Sequence, residues 1–248
     1  MTSTNLSDTK PGRTFTKQKV AIHPDPAGFL GRHRAFGLGL FLLGGLIFSA
    51  LVFNVRTNGP LLAWDLPIDQ SLHARAIQDP WFVLDIMRFS GELGKFAALI
   101  IAIPLLLYWL WKRHWNAICM LAIGVGGGSV WFLVLSTLIG RHRPIFPDPL
   151  ETPLPGPGFP SGHSIFSVLF YGLILFQLLP HLASRNWRIL AGVDALLIVL
   201  LVGFSRLYMG EHYPTDILGG YSFGLAWGAL VYTSLAFYKQ YRSTRIAR

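Results

Sequence analysis

The sequence predicts an all-α polytopic membrane protein built as a bundle of six transmembrane helices. Three observations carry that expectation. Hydrophobic residues make up 52% of the 248 positions and charged residues only 13%, against roughly a quarter charged in ordinary soluble domains. The apolar residues gather in six runs long enough for a membrane helix, which needs about 20 mostly apolar residues. The charges cluster in the short segments between those runs. Helix is the required conformation, because lipid cannot satisfy open backbone groups.

Taken in order, residues 1–34 are polar, with Pro11, Pro24 and Pro26, and read as a loose cytoplasmic tail. The first apolar run, 35–55, is too long for the core of a cleavable signal peptide and has no small-residue cleavage site after it. It reads as a retained first span. Residues 60–92 are mixed; the stretch from Pro80 to Phe89 is too short to span and reads as interfacial. The remaining spans are expected at 93–111, 116–139, 163–180, 189–207 and 215–238, so the membrane domain covers 35–238. Residues 239–248 form a basic cytoplasmic tail. Gly220, Gly224 and Gly228 recur every four residues, as do Gly124 and Gly128. Such small-residue stripes let helix backbones approach closely.

The net charge of +9 raises nucleic acid as a partner. A nucleic-acid binder, however, lines an exposed face or helix with Lys and Arg. Here the basic clusters flank apolar spans, which points to membrane lipids and excludes nucleic acid. With the N-terminus inside, one side of the membrane carries fourteen of the 21 Lys and Arg. The other side carries Arg56, Arg75, Arg88, Lys95, Arg141, Arg143 and Arg206. The positive-inside rule then places both termini in the cytoplasm; in a bacterial cell this is the inner (plasma) membrane. Cys119, the only cysteine, excludes disulfide frameworks and multi-cysteine metal sites.

Three polar clusters fall on the outer side. Gly140-Arg141-His142-Arg143-Pro144 ends the third span, and Pro160-Ser161-Gly162-His163 opens the fourth. Ser205-Arg206 ends the fifth, and Glu211-His212-Tyr213-Pro214-Thr215-Asp216 opens the sixth. Arg188 to Arg206 is about 27 Å of helix, roughly one bilayer core, so the clusters meet at one level of the bundle. His212 and Asp216 are four apart and share a helix face. The residue types suit phosphoryl transfer, which depends on positioning and on stabilising charge spread over three oxygens. Arg143 and Arg206 offer planar forks for phosphate oxygens. Ser161 and Gly162 lie where a helix N-terminus favours an anion. Two histidines supply a nucleophile and a proton donor, and Asp216 can hold one imidazole in its reactive tautomer. No carboxylate cluster suggests a metal, so no metal or other cofactor is expected.

These clusters resemble the three-part signature of the type 2 phosphatidic acid phosphatase superfamily, which includes the vanadium haloperoxidases: K-x6-R-P, then P-S-G-H, then S-R-x5-H-x3-D. The second part is intact at Pro160 to His163, and the third from Ser205-Arg206 through His212 to Asp216. In the first, Arg143-Pro144 match, but the lysine position holds Ser136. The resemblance covers roughly residues 80–238. It implies that His212 attacks phosphorus and forms a phosphohistidine, that Asp216 orients it, and that His163 protonates the leaving oxygen. It further implies that Arg143, Arg206, Ser161 and Gly162 bind the phosphate. One contact is left over by Ser136; either Arg141 supplies it or the site binds fewer oxygens.

The function expected is hydrolysis of a lipid phosphate or diphosphate at the outer face. A phosphotransferase could use the same phosphohistidine with a lipid acceptor. A transporter would place its polar site near the midplane, whereas here the mid-span residues are apolar. Undecaprenyl diphosphate, phosphatidic acid, phosphatidylglycerol phosphate and lipid A phosphate are all candidate substrates; undecaprenyl diphosphate suits an outward-facing site. The oligomeric state is left open. His23, His33, His73, His114, His142 and His181 read as interfacial, and Asp194 as interfacial or helix-pairing.

Overall fold

The computed structural model describes residues 34–94, 96–152 and 155–246; the tail expected over 1–34 lies outside them except for Arg34. Every regular element among these residues is helical. α1 spans Arg34–Thr57, and a 3-10 turn at Pro60–Trp64 leads into α2, Asp65–Gln78. α3 is Trp81–Glu92 and α4 is Phe96–Trp111. α5, Trp115–Cys119, continues through a π-helical stretch, Met120–Gly126, into α6, Gly127–Ile139. α7 is Gly162–Leu178, α8 is Arg185–Tyr208 and α9 is Pro214–Ile246.

Four helical stretches are long and apolar enough to cross a membrane: Ala35–Thr57, Trp115–Ile139, Gly162–His181 and Arg185–Tyr208. A shorter apolar helix runs Ile100–Trp111. They fall on the first, third, fourth, fifth and second of the apolar runs, and α9 follows the sixth. Leu46, Ile100 and Leu133 are more than half exposed at the bundle surface. Outward-facing side chains of this size over whole helices are what a lipid environment covers.

The helix ends have local causes. α6 stops at Gly140, whose φ of 66° places it in the left-handed region and lets its N–H reach Ser136 O, the usual glycine cap. Ser161 caps α7, its side chain accepting from the Ser164 N–H, as N-cap serines do. Pro214 opens α9 at a position where its missing N–H costs nothing. These three caps lie at one end of the bundle and set where the chain turns into the polar clusters.

α9 is the spine. A Cβ on Gly220 would lie 2.6 Å from Ser161 O, one on Gly224 3.0 Å from Val168 Cβ, and one on Gly228 3.2 Å from Leu169 Cδ2. The glycine stripe therefore packs on α7 and draws the start of α7 against the start of α9. On the other side of α9, Gly44 of α1 meets Ser222 O, with 2.7 Å left for a Cβ. Trp227 Nε1 donates to Gly124 O at 2.9 Å, inside the π-helical stretch, where wide helical turns leave carbonyls to be satisfied from outside. Trp109, Met120, Leu173, Phe176 and Tyr232 form the apolar core at this far end. The opposite end is polar inside. Asp65, Ser161, Ser205, Arg206, Glu211, His212, Thr215 and Asp216 are all buried there, beneath α2 and α3.

Candidate active site

All three sequence clusters converge at that end. His212 sits in the short loop between α8 and α9, almost fully buried. Its Nδ1 faces Asp216 Oδ2 at 3.7 Å. The same carboxylate oxygen accepts from the Tyr213 N–H at 2.9 Å, so Asp216 is held by the helix turn it starts. His212 Nε2 lies 3.0 Å from Arg143 Nη1. A guanidinium has no lone pair to offer, so Nε2 is the acceptor and carries no proton. The neutral imidazole then has its proton on Nδ1, which lies beyond hydrogen-bond range of Asp216, and its lone pair on Nε2. Burial lowers the His212 pKa first of all; Asp216 opposes this and Arg143 adds to it. Burial and Arg143 thus favour the neutral ring.

Two guanidinium groups border this lone pair. Arg143 Nη1 also donates to Glu211 O at 3.0 Å. Arg206, on the last turn of α8, donates from Nη1 to Glu211 Oε1 at 3.0 Å. Arg143 Nε and Arg206 Nη2 are buried donors without a hydrogen-bond partner. A buried unmet donor costs about 1–3 kcal/mol, and the two arginines, one against His212 Nε2 and one against Glu211, give this end of the bundle the charge to hold an anion. Room for Arg206 comes from Gly91 of α3: a Cβ there would lie 1.7 Å from Nη2. Ser161 and Gly162 are buried at the start of α7; the Ser161 N–H donates to Asp216 O at 3.0 Å, while the first helical turn after it and the helix dipole favour negative charge. Burial lowers the Arg143 pKa, with Glu211 and Asp216 opposing.

Arg141 has a different setting. Its Nη1 donates to Asp216 Oδ1 at 2.6 Å and to Thr215 Oγ1 at 2.7 Å, and its Nη2 to Asp65 Oδ2 at 2.6 Å. Its guanidinium lies over the Tyr213 ring, 4.5 Å from the centroid. Asp65 in turn accepts from Thr215 N and Oγ1. Burial would lower the Arg141 pKa, but Asp216 and Asp65 outweigh it and raise it. The donors of Arg141 thus point away from the phosphate-facing side, toward the carboxylate behind the nucleophile. Ser136, at the position of the family lysine, is buried in α6 and donates to Leu133 O at 3.2 Å; it brings no charge to the site.

His163, Glu211 and His212 bring ligand atoms within 4.8 Å of one another. Two imidazoles and a carboxylate can hold a transition metal. Yet Arg143 lies against His212 Nε2 and Arg206 against Glu211 Oε1, so two of the three donors already face a fixed cation. The electrostatics of the pocket suit an anion better than a metal ion.

Four participants have no motif to announce them. Asp65 lies 76 positions before Arg141 in a mixed segment. Gly91 matters only through a contact with α8. Glu211 was visible only as the residue before His212. Glu151, whose Oε2 is 4.0 Å from Arg206 Nη1, comes from a Pro-rich loop. Each contributes through tertiary contact, which spacing does not encode.

Comparison with known proteins gives a consistent set of relatives. The PAP2 superfamily domain matches residues 117–239. Phosphatidylglycerophosphatase B of Bacillus subtilis is 33% identical over 193 residues, covering 73% of this chain and 87% of that protein. An undecaprenyl-diphosphatase of the same organism is 32% identical over 143 residues, 55% of this chain and 67% of the relative. Among solved structures, a transmembrane PAP2-type phosphatidylglycerolphosphate phosphatase from Bacillus subtilis superimposes with a TM-score of 0.62 at 28% identity, covering 79% of this chain and 93% of that one.

Proposed function

This chain belongs to the PAP2 superfamily, and on that footing we propose that it is a membrane lipid phosphatase working through a phosphohistidine on His212. The supporting observation is His212 Nε2 lying 3.0 Å from Arg143 Nη1, with Asp216 Oδ2 3.7 Å from its Nδ1.

In the first step Nε2 of His212 attacks phosphorus. A P–N bond forms as the P–O bond to the lipid breaks, and His163 gives its proton to the leaving oxygen. Arg143, Arg206, the Ser161 hydroxyl and the Gly162 N–H take up the charge on the equatorial oxygens. In the second step His163, now neutral, accepts a proton from water as that water attacks the phosphohistidine, releasing inorganic phosphate and restoring His212. Asp216 keeps the Nδ1 proton in place throughout, and Arg141 with Asp65 keeps Asp216 in place. No metal ion takes part.

The site faces away from the cytoplasm, with both termini inside and α4 and α9 completing six spans. The loop charge bias supports this orientation. Phosphatidylglycerol phosphate and undecaprenyl diphosphate are the first substrates to test, since relatives of this chain carry those names. The test is release of inorganic phosphate by purified protein in detergent, without added acceptor, from these two lipids, phosphatidic acid and lipid A phosphate. No release from any of them would overturn the reading, and transfer only in the presence of an alcohol acceptor would make the chain a phosphotransferase.

A further inference from the structure

Glu211 directly precedes the nucleophile and touches both phosphate-facing arginines. Its carboxylate Oε1 accepts from Arg206 Nη1 at 3.0 Å, and its carbonyl accepts from Arg143 Nη1 at 3.0 Å. Its second oxygen, Oε2, is buried without a hydrogen-bond partner. The carboxyl group lies within 4.8 Å of the ligand atoms of His163 and His212. Its backbone is fixed as well, the Glu211 N–H donating to Arg206 O at 3.0 Å. A phosphate oxygen that reaches Arg206 from the side of His212 must therefore enter the space this carboxylate holds.

We propose that Glu211 is a displaceable stand-in for phosphate: an incoming dianion takes over Arg206 Nη1, and Glu211 takes up one proton, keeps it, and donates a hydrogen bond through it to a phosphate oxygen. The proposal rests on the reading that this cluster binds a phosphate group. It goes further by assigning a role to a side chain outside the signature, and by coupling substrate binding to proton uptake.

Charge makes the case. Arg206 is flanked by Glu211 at 3.0 Å and Glu151 at 4.0 Å, and Ser136 supplies no cation. With both carboxylates ionised, Arg143 and Arg206 are already neutralised, and an entering dianion would meet an ionised Glu211 at hydrogen-bond range. With Glu211 protonated, the charge around Arg206 shifts by one unit toward positive and the pocket gains a donor. Burial, opposed by Arg206 and helped by Glu151, raises the Glu211 pKa to about 7, so the proton is accessible near neutral pH.

The sign follows from linkage. Below the free-state pKa Glu211 already holds its proton and anion affinity is constant; above it, each pH unit weakens binding by about tenfold. The other groups facing Glu211 are Arg206, Arg143, Glu151, His163 and His212, with Asp216 behind His212. The arginines stay charged throughout, and burial keeps His212 neutral. His163 is the other group able to take the proton, which makes a Glu211 variant the deciding comparison. A purely structural Glu211, holding Arg206 in place, would give the opposite result: its loss would weaken anion binding at every pH.

The test uses the full-length protein and sulfate, a dianion across the range, as competitive inhibitor from about pH 6 to about pH 9. For the wild type, the inhibition constant is expected to rise about tenfold per unit above about pH 7.5. For Glu211→Gln it should stay nearly flat, and at about pH 8.5 should be at least about tenfold tighter than wild type. Calorimetry of sulfate binding in two buffers of different ionisation enthalpy gives the proton count on the wild type alone. About one proton taken up near pH 8 is expected. Parallel pH profiles for the two proteins, weaker binding by the variant at all pH values, or no proton uptake would each overturn the proposal. Failure of sulfate to compete at any pH would instead count against the phosphate site itself.

Discussion

Arg141 Nη1 lies 2.6 Å from Asp216 Oδ1, while the other oxygen of that carboxylate faces His212 Nδ1 at 3.7 Å. Arg141 is thus one residue removed from His212, the proposed nucleophile, and its effect should appear in turnover rather than in phosphate binding. Arg141→Ala leaves Asp65 and Asp216 buried without their shared cation. Breaking a buried pair in this way costs about 3–5 kcal/mol of stability. Arg141→Lys keeps the charge but loses the fork that reaches both acids. For the lysine variant we expect kcat to fall by about 10- to 100-fold, comparable to other losses of an orienting partner, with KM nearly unchanged. A rise in KM at constant kcat would instead make Arg141 a phosphate ligand.

Gly91 makes a second, independent test of the Arg206 position. Its missing Cβ is the space that the guanidinium occupies. Gly91→Ala should push Arg206 away from Glu211 and from the phosphate. Overpacking of this kind costs about 1–3 kcal/mol, so the fold should survive while KM for the lipid phosphate rises. An alanine variant with wild-type KM would show that Arg206 can bind phosphate from another position.

The helical fold and the meeting of the three clusters were legible in the sequence for a physical reason. Apolar runs of membrane length allow one conformation, and helix rise fixes which polar clusters share a level. The glycine stripe at Gly220, Gly224 and Gly228 was legible in the same way, since small residues at a four-residue repeat make a face. The supporting shell was not. The sequence shows Arg141 two positions from Arg143, which suggests a shared ligand, but the left-handed turn at Gly140 and the ion pair to Asp65 send its fork to the far side of Asp216. Nor does spacing reveal that Glu211 turns its carboxylate onto Arg206, because a loop residue has no periodic face.

Orientation can be read with a single thiol. Ile145 is 90% exposed in the loop after α6, on the same side as the clusters. In a Cys119→Ser background, Ile145→Cys should react with a membrane-impermeant maleimide in intact spheroplasts. Labelling that requires access from the cytoplasmic side would reverse the assignment of both termini.

The electrostatics of the pocket set an expectation for metals. Arg143 and Arg206 face His212 and Glu211, and the proposed mechanism assigns charge stabilisation to these guanidinium groups. Hydrolysis should persist after EDTA treatment and dialysis. Vanadate should inhibit, since its trigonal-bipyramidal adduct on His212 resembles the transition state. Complete loss of activity in EDTA, restored by Mg²⁺, would sink the arginine-based mechanism.

The two histidines should fail in different ways. In the proposed mechanism His212 makes the covalent bond, so His212→Ala removes the only route and should abolish turnover for every leaving group. His163 is proposed to protonate the leaving oxygen, a contribution worth typically about 10²–10⁴-fold. That contribution shrinks when the leaving group is already good. His163→Ala should therefore be severe on an alkyl phosphate such as phosphatidic acid. It should be milder on an activated aryl phosphate or a diphosphate, whose leaving groups need less protonation. Asp216→Asn should resemble a weaker His212 defect, because the imidazole remains but loses the partner that fixes its Nδ1 proton. The deciding measurement is kcat for each variant on an alkyl and an activated substrate. Should His163→Ala be equally inactive on both while His212→Ala keeps activity on the activated one, the two roles would have to be exchanged, and the lone pair beside Arg143 would belong to the acid rather than to the nucleophile.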